Sequence, residues 1–219
     1  MKQTFDIRGG FGTQLLSMLA ISAHYKTNIA YLNFRVNVGE YKEDLAYIAA
    51  LDGIRLANLL NIHIQFSRGT NKTSPFRDPY KQAILNKHVR EINPFTLPED
   101  QQGSFIHIRK NDRQLLTDAE YETLQRNHPT FEVIQEPERF NLVDNLNNTV
   151  EDFFQLFSAK EIIGQYSTFT LACAILNDGV ELHIVRPEDS NGPGKMSEED
   201  WKFVDEVIQS YENIHWYTP

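Results

Sequence analysis

The hydrophobic positions of this 219-residue chain form short apolar runs, separated by longer stretches in which apolar residues recur with a helical period. The short runs predict strands at residues 4–8, 29–36, 62–66, 104–109, 131–135, 161–164 and 180–185. The longer stretches predict helices at residues 14–21, 45–60, 80–91, 118–126, 150–157 and 168–176, and a last helix that begins after the cap Ser197. Strands that alternate with helices predict an α/β fold with parallel sheets and helices on their faces.

Residues 93–103 contain two prolines and no usable hydrophobic period, so this stretch is predicted to link two units. We therefore expect two Rossmann-like domains, residues 1–95 and residues 104–219, that face each other across a cleft. In open α/β sheets the ligand lies at the carboxyl ends of the strands. Residues that directly follow strands are therefore the first candidates for a site.

The composition is that of an ordinary globular protein, with 41% hydrophobic and 23% charged residues. The net charge of −9 is unevenly divided, because residues 1–103 hold 12 Lys and Arg against 9 Asp and Glu, whereas residues 104–219 hold 9 against 21. No apolar run is long enough to cross a membrane and the N-terminus has no secretory pattern, so a soluble cytoplasmic protein is expected. The lone Cys173 lies in an apolar run, which predicts buried packing.

Glycine is concentrated directly after the first predicted strand, in the run Gly9-Gly10-Phe11-Gly12, which leads into a helix. Glycines let the backbone turn tightly and approach a ligand closely, and a helix start presents amide groups to an anion. Gly10 and Gly12 are therefore candidate ligand-binding residues, and a tight turn without a ligand is the alternative. Leu15 stands where the dinucleotide-binding fingerprint has its third glycine.

Charged side chains are concentrated in the run His107-Ile108-Arg109-Lys110-Asn111-Asp112, at a predicted strand end. His107 and Arg109 point to the same face of that strand. A guanidinium fork pairs with a diphosphate and Lys110 adds charge for the same anion, so this run predicts a phosphate site. An Arg–Asp salt bridge in a loop is the alternative.

The third candidate is the run Gly164-Gln165-Tyr166-Ser167-Thr168-Phe169-Thr170, where a short strand meets a helix. Ser167 or Thr168 can cap that helix or donate a hydrogen bond to a phosphate, and both roles need the same location. Together with Arg109, the phosphate role is the preferred interpretation. The chain has no Asp-x-Asp pair, no phosphate-binding loop ending in Gly-Lys-Ser/Thr and no zinc-ligand spacing. A reaction without a metal or another cofactor is therefore expected.

These three runs, in this order, resemble the α-1,2-fucosyltransferases and their relatives among the α-1,6- and protein O-fucosyltransferases. Residues 8–15 are similar to the family's Gly-Gly-Leu-Gly-Asn-Gln-hydrophobic start, residues 107–112 to its His-x-Arg-Arg-Gly-Asp motif, and residues 161–177 to its late Ser-Ser-Phe-Ser segment. Lys110 and Thr13 stand where the family has arginine and asparagine.

The resemblance implies a metal-independent, inverting glycosyltransferase of the B type, which moves a sugar from a nucleotide sugar, GDP-fucose or a related donor, to an acceptor hydroxyl. It implies that residues 1–95 hold the acceptor, a saccharide or another hydroxyl compound, and residues 104–219 the donor. Arg109 would lie on the diphosphate, His107 near the nucleoside, and Ser167 or Thr168 at the phosphates. The family supplies no certain base, and the residues themselves make Asp6 and Asp112 the candidates.

Two other functions stay open. Basic and aromatic side chains are interleaved in residues 68–90, a composition that suits a nucleic acid acceptor such as a modified DNA base. The segment contains Arg68, Lys72, Arg77, Lys81, Lys87 and Arg90, with Phe76, Tyr80 and the single acid Asp78. A solvated helix face is the simpler interpretation of this segment. The other function is non-enzymatic, a nucleotide-sugar sensor or a degenerate transferase that binds its ligand without turnover.

Overall fold

A computed structural model describes residues 4–38, 43–68, 77–109, 114–135, 142–187 and 196–218, with the backbone alone for residues 43–45, 77–80 and 142–147. The chain divides into two compact units, Met1–Phe95 (unit 1) and Thr96–Pro219 (unit 2), and each has its own parallel sheet. The predicted α/β class with parallel strands is confirmed. Among the described helices, none is both long and apolar enough to cross a membrane.

Unit 1 has three parallel strands in the order β1-β2-β3. Its elements are β1 (Thr4–Ile7), α1 (Phe11–Tyr25), a short 3-10 helix (Ile29–Tyr31), β2 (Asn33–Asn37), α2 (Glu43–Leu60), β3 (Ile64–Ser67), α3 (Arg77–Leu85) and α4 (His88–Glu91). Alternate strand residues are buried, as are apolar residues along α1, and the set includes Phe5, Ile7, Phe34, Val36, Leu15, Leu16 and Leu19. Removal of this apolar surface from water is the main force that stabilises unit 1.

Two predicted elements of unit 1 have different bounds in the structure. The strand predicted from residue 29 begins only at Asn33, because the Asn28 side chain accepts a hydrogen bond from the Ala30 amide and starts a 3-10 helix. The helix predicted for residues 80–91 is two helices, because Lys87 adopts a left-handed backbone, with φ of 59°, between them. Both differences arise at single backbone positions, which a hydrophobic period does not register.

Unit 2 has five parallel strands in the order β5-β4-β6-β7-β8. Its elements are β4 (Ser104–Ile108), α5 (Asp118–Asn127), β5 (Glu132–Gln135), α6 (Leu142–Phe157), β6 (Glu161–Gln165), α7 (Thr168–Leu176), β7 (Glu181–Val185), α8 (Glu198–Ser210) and β8 (Ile214–Trp216). Ser197 caps α8 as predicted and forms a capping box with Asp200. β8 was not predicted, because three residues are too few to show an alternating pattern.

The strand order of unit 2 contains one reversal. The chain passes from β4 to β5 on one side and then returns beyond β4 to β6 on the other side. In sheets of this order, ligands bind at the carboxyl ends of the two strands that flank the reversal. Those strands are β4 and β6, which end at Ile108 and Gln165. The end of the sheet at which β4, β6, β7 and β8 terminate is called the carboxyl edge.

α7 runs through the interior of unit 2, and all its residues from Thr170 to Leu176 are buried. Cys173 within it has no exposed surface, and its Sγ lies 3.7 Å and 3.4 Å from the carbonyl oxygens of Phe153 and Phe169. Burial raises the pKa of the Cys173 thiol, so the thiol is neutral and unreactive at physiological pH. The prediction that Cys173 is a packing residue is confirmed.

Candidate functional site

β4 is a buried strand that ends at a cationic residue. Phe105, Ile106, His107 and Ile108 expose at most 4% of their surface, and Arg109 follows them with a half-buried side chain. Because β4 is hydrogen-bonded on both sides, to β5 and to β6, it is a rigid mount for the residue at its end. Residues 110–112, and with them the predicted site residues Lys110 and Asp112, lie outside the described residues.

The His107 side chain lies inside unit 2, between β4 and α7. Its ring stacks on Phe169, in the first turn of α7, with 5.9 Å between the ring centroids and 24° between the planes. Burial, with a smaller contribution from the charge of Arg109, lowers the pKa of His107 to about 3, so the imidazole is neutral at physiological pH. The stack brings the start of α7 beside the end of β4. The predicted contact of His107 with a nucleoside stays a prediction.

A buried glutamine at the end of β6 organises the backbone around Arg109. The Gln165 Oε1 atom accepts hydrogen bonds from the amides of Leu115, at 2.7 Å, and Leu116, at 3.2 Å, and from the Tyr121 hydroxyl at 2.9 Å. The same hydroxyl accepts a hydrogen bond from the Arg109 amide at 3.1 Å. Residues of β6, of α5 and of the segment before α5 thus form one hydrogen-bonded network that reaches the Arg109 amide.

Gly164 allows β4 and β6 to approach closely at the reversal. Gly164 is in register with His107, and a Cβ atom on Gly164 would lie 2.7 Å from the His107 carbonyl oxygen. That separation is shorter than the van der Waals contact distance between a carbon and an oxygen, so a larger residue would force the two strands apart. The glycine therefore keeps the carboxyl ends of β4 and β6 together.

The start of α7 has one side-chain cap, Ser167, and no acidic residue in its first turn, an arrangement that suits an anion. Ser167 is buried, and its Oγ accepts a hydrogen bond from the Phe169 amide at 3.2 Å, so Ser167 caps α7, the alternative to the preferred phosphate role, which stays a prediction. Thr168 is half-buried at the first position of the helix. The first turn of α7 contains no acidic residue, whereas the first turns of α5 and α8 contain two and three. The positive end of the α7 dipole is therefore not offset by carboxylates from its own first turn.

In unit 1, the predicted glycine turn is a tight connection between β1 and α1. Gly9 has a φ of 92°, and a Cβ atom there would lie 2.8 Å from the Thr13 Cβ, so only glycine fits. Gly10 is the exposed residue before the helix and Gly12 is buried in its first turn. The buried Gln14 amide group donates to the carbonyl oxygens of Gly9, at 2.7 Å, and Ala49, at 2.8 Å, which ties the turn to α2.

A carboxylate of the chain itself binds the start of α1. The Phe11 amide donates to Asp52 Oδ2 at 2.9 Å, and Arg55 donates to Asp52 Oδ1 at 2.9 Å. Asp52 exposes only 4% of its surface, and burial raises its pKa to about 6 although Arg55 and the Phe11 amide lower it. At pH 7 this carboxylate is mostly ionised, so a negative charge already stands at the helix terminus that would receive a phosphate.

Asp6, a predicted candidate for the catalytic base, is one half of an ion pair. Its carboxylate accepts two hydrogen bonds from Arg35, at 2.5 Å and 2.9 Å, and the two residues are in register on β1 and β2. The carboxylate raises the pKa of the Arg35 guanidinium. The carboxylate that would have to accept the proton is thus already bound to a guanidinium, and the catalytic role of Asp6 stays a prediction.

Comparison with known proteins adds no relative. The chain matches no family model, no curated protein and no solved structure. The resemblance to fucosyltransferases therefore rests on the three sequence runs alone.

Four of the predicted site residues lie together within unit 2. Arg109, His107, Ser167 and Thr168 lie at the adjoining ends of β4, β6 and α7 in unit 2. Gly10, Gly12 and Asp6 lie in unit 1. Three residues that organise these sites, Gln165, Tyr121 and Asp52, were not predicted from the sequence. One signal was present for Gln165, since it is a polar residue at the end of the apolar strand 162–164, but its partners lie 44 to 50 positions away.

Proposed function

We propose that the chain is a glycosyltransferase whose donor is a nucleoside diphosphate sugar, with the diphosphate bound at the carboxyl ends of β4 and β6. The observation that carries the proposal is the position of Arg109. It directly follows the first of the two strands at the reversal, beside a helix start that has no acidic residue in its first turn. A guanidinium and a helix N-terminus both favour a diphosphate, and the reversal is where such sheets bind nucleotides.

The resemblance to fucosyltransferases suggests the donor, which is GDP-fucose or a related nucleotide sugar. In the reaction, an acceptor hydroxyl oxygen forms a bond to the anomeric carbon while the bond from that carbon to the β-phosphate oxygen breaks. The hydroxyl proton goes to a base, and the nucleoside diphosphate leaves with an additional negative charge. Arg109 and the start of α7 at Thr168 stabilise that charge as it develops, and preorganised electrostatic stabilisation of this kind is commonly the largest single contribution to catalysis.

The acceptor and the base belong to the same proposal. We expect unit 1 to hold a saccharide or another hydroxyl compound, because the carboxylate of Asp52 disfavours a phosphate at its glycine turn. The base is Asp6 or Asp112, as the sequence analysis proposed. The basic segment 68–90, on which a nucleic acid acceptor depends, lies partly outside the described residues, and the structure adds no observation that favours it.

The test is a thermal-shift and calorimetric titration with UDP-, GDP- and CMP-sugars, for the unaltered chain and for two variants. A ligand that binds only the folded state raises the melting temperature. We expect at least one nucleotide sugar to do so, and we expect Arg109→Ala to weaken its binding about tenfold to a hundredfold, because a charge-assisted hydrogen bond contributes roughly 1.5–3 kcal/mol. Arg126→Ala removes an exposed cation from α5 in the same unit and is the matched control.

Three outcomes separate the alternatives. Release of a nucleoside diphosphate together with sugar transfer supports the transferase. Binding without release under all acceptor conditions favours the sensor. The proposal is wrong if no nucleotide sugar binds, or if Arg109→Ala leaves the affinity at the level of Arg126→Ala.

A further inference from the structure

Both tryptophans of the chain lie in one cluster with an arginine, in unit 2. The Trp201 and Trp216 ring centroids are 5.9 Å apart, and the Arg186 guanidinium carbon lies 5.8 Å and 5.3 Å from them. The Trp216 indole N–H donates to Asp205 Oδ1 at 3.1 Å, which fixes the orientation of that ring. The Arg186 guanidinium thus lies within cation–π distance of two indoles, one of which is held by a hydrogen bond.

The cluster belongs to the carboxyl edge of the sheet. Arg186 directly follows β7, Trp216 is the last residue of β8, and Trp201 lies near the start of α8, the helix that begins after β7. Trp216 is in register with Ile184, Ile184 with Gly164, and Gly164 with His107. Because side chains alternate between faces, the cluster lies on the face that carries His107 and α7.

The spacing matches a nucleotide with its diphosphate at Arg109. β7 is the second strand from β4, so the end of β7 lies about 10 Å from the end of β4 at the usual spacing between strands. The start of α7, which follows β6, lies between them. A nucleoside diphosphate carries its base at one end and its terminal phosphate at the other, and it can reach across this distance.

The cluster keeps the surface that a stacking site needs. Arg186 is exposed, and Trp201 and Trp216 are half-buried. Nucleobases stack on aromatic rings and on guanidinium planes, and such stacking tolerates any base because every base has a flat π face. A rigid, partly exposed indole and guanidinium surface at the ligand-binding edge of the sheet is therefore suited to a base.

We infer that Trp201, Trp216 and Arg186 form the platform on which the base of the nucleoside diphosphate stacks. The inference rests on the proposed function, because it assigns the other end of the same ligand. It divides the site into a phosphate half at Arg109 and α7 and a base half at the Trp–Arg cluster, and so places the base away from His107, which the resemblance puts near the nucleoside. Each half is expected to contribute to affinity separately.

Tryptophan fluorescence reports on this cluster directly, because the chain has no other tryptophan. The experiment titrates the full chain with GDP, UDP, CDP and ADP, with inorganic pyrophosphate as the matched ligand without a base, and with free monosaccharides. Calorimetry measures each affinity in parallel. We expect at least one nucleoside diphosphate to quench the fluorescence on binding, and we expect pyrophosphate to bind with little change in fluorescence.

Variants then separate the two halves of the site. Trp201→Leu is expected to lower the affinity for the nucleoside diphosphate about tenfold and to leave the affinity for pyrophosphate unchanged. Trp201→Phe keeps an aromatic ring, so its affinity is expected to remain close to that of the unaltered chain. Arg186→Met removes the guanidinium plane from an exposed position, with little risk to folding. It is also expected to lower the affinity for the nucleoside diphosphate and to leave that for pyrophosphate unchanged. Arg109→Ala is expected to lower the affinities for both the nucleoside diphosphate and pyrophosphate.

The two proposals fail in different ways. If nucleoside diphosphates bind, but Trp201→Leu and Arg186→Met change neither the affinity nor its ratio to that of pyrophosphate, the platform is wrong and the proposed function stands. Quenching by a free saccharide instead of a nucleotide would assign the cluster to the sugar or the acceptor. If neither a nucleoside diphosphate nor pyrophosphate binds, both proposals fall.

Discussion

Two strand–turn–helix connections in this chain were both predicted to be ligand sites, and they differ in what binds the helix start. In unit 1, the turn from β1 to α1 ends at an amide that donates to Asp52, a carboxylate of α2. In unit 2, the turn from β6 to α7 is capped by the neutral hydroxyl of Ser167, and its first turn has no acid. In unit 2 a cation, Arg109, directly follows the neighbouring strand β4, whereas Arg35 on the strand next to β1 is paired with Asp6.

The difference shows why a glycine-rich turn is a weak indicator of a phosphate site. A helix N-terminus favours negative charge from any source, and a buried carboxylate of the same chain supplies it without an external ligand. Because Asp52 lies 41 positions from the amide that it binds, no local pattern reveals the contact. We therefore expect unit 1 to be stabilised by its internal anion and unit 2 to bind an external one.

The largest expected effect comes from removal of the internal anion. Asp52→Ala leaves Arg55 without its carboxylate in a buried position and leaves the Phe11 amide without its acceptor. Loss of one partner of a buried pair lowers the free energy of unfolding by about 3–5 kcal/mol. We expect urea unfolding followed by far-ultraviolet circular dichroism to show this loss.

Two controls make that measurement specific to unit 1. Both tryptophans lie in unit 2, so the tryptophan fluorescence transition is expected to move less than the circular dichroism transition. Asp52→Asn keeps an acceptor for the Phe11 amide and is expected to cost less than Asp52→Ala. Equal shifts of the two transitions, or no loss of stability in Asp52→Ala, would contradict the internal-anion interpretation of unit 1.

The next effect is a pH dependence of opposite sign in the two units. The folded-state pKa of His107 is lowered from 6.5 to about 3, so the stability that this group contributes is present above pH 6.5 and is lost as pH falls towards 3. From pH 7.5 to pH 5 the loss is about 2 kcal/mol. The pKa of Asp52 is raised from 3.8 to about 6, so its stability contribution is present in acid and is lost as pH rises through 6. Over the same interval Asp52 contributes a gain of about 1 kcal/mol.

Variants without the titrating group test these signs. We expect His107→Phe to flatten the pH dependence of the tryptophan fluorescence transition, since a phenyl ring keeps the stack on Phe169 but cannot be protonated. We expect the advantage of the unaltered chain over Asp52→Asn to shrink as pH rises from 5 to 7.5. The contrast between the units is lost if both variants change the pH dependence in the same direction.

The smallest expected effect comes from the hydrogen bonds that link Arg109 to Tyr121 and Gln165. Tyr121→Phe removes the hydroxyl that donates to Gln165 and accepts from the Arg109 amide. A buried hydrogen bond contributes about 1 kcal/mol, so a loss of about that size in stability is expected. If the network positions Arg109 for the diphosphate, pyrophosphate affinity also falls severalfold.

A matched tyrosine separates positioning from stability in this experiment. The Tyr217 hydroxyl also makes a hydrogen bond within unit 2, to His128 Nε2 at 2.9 Å. Tyr217→Phe is therefore expected to lower stability to a similar extent without a change in pyrophosphate affinity. The positioning role of Tyr121 is refuted if both variants retain the original affinity.

The sequence predicted the parts of the fold that depend on neighbours along the chain. The alternation of strands and helices followed from hydrophobic period, and the caps Ser167 and Ser197 followed from residue types at helix starts. The cap at Asn28 and the left-handed Lys87 were missed, because each depends on one backbone conformation and not on a repeating pattern. For the site, the sequence indicated Arg109 and its rigid strand without showing what surrounds them.

The sequence by itself thus determined the α/β class, most element positions and the concentration of charge after β4. Only the tertiary structure decided the strand order, which places the reversal between β4 and β6, and the partners of the buried polar groups. Asp52 and Gln165 bind groups that are 41 to 50 positions away, and the Trp–Arg cluster joins β7, β8 and α8. Local propensities act over a few residues, whereas a buried polar group must find its partner wherever packing brings one within reach.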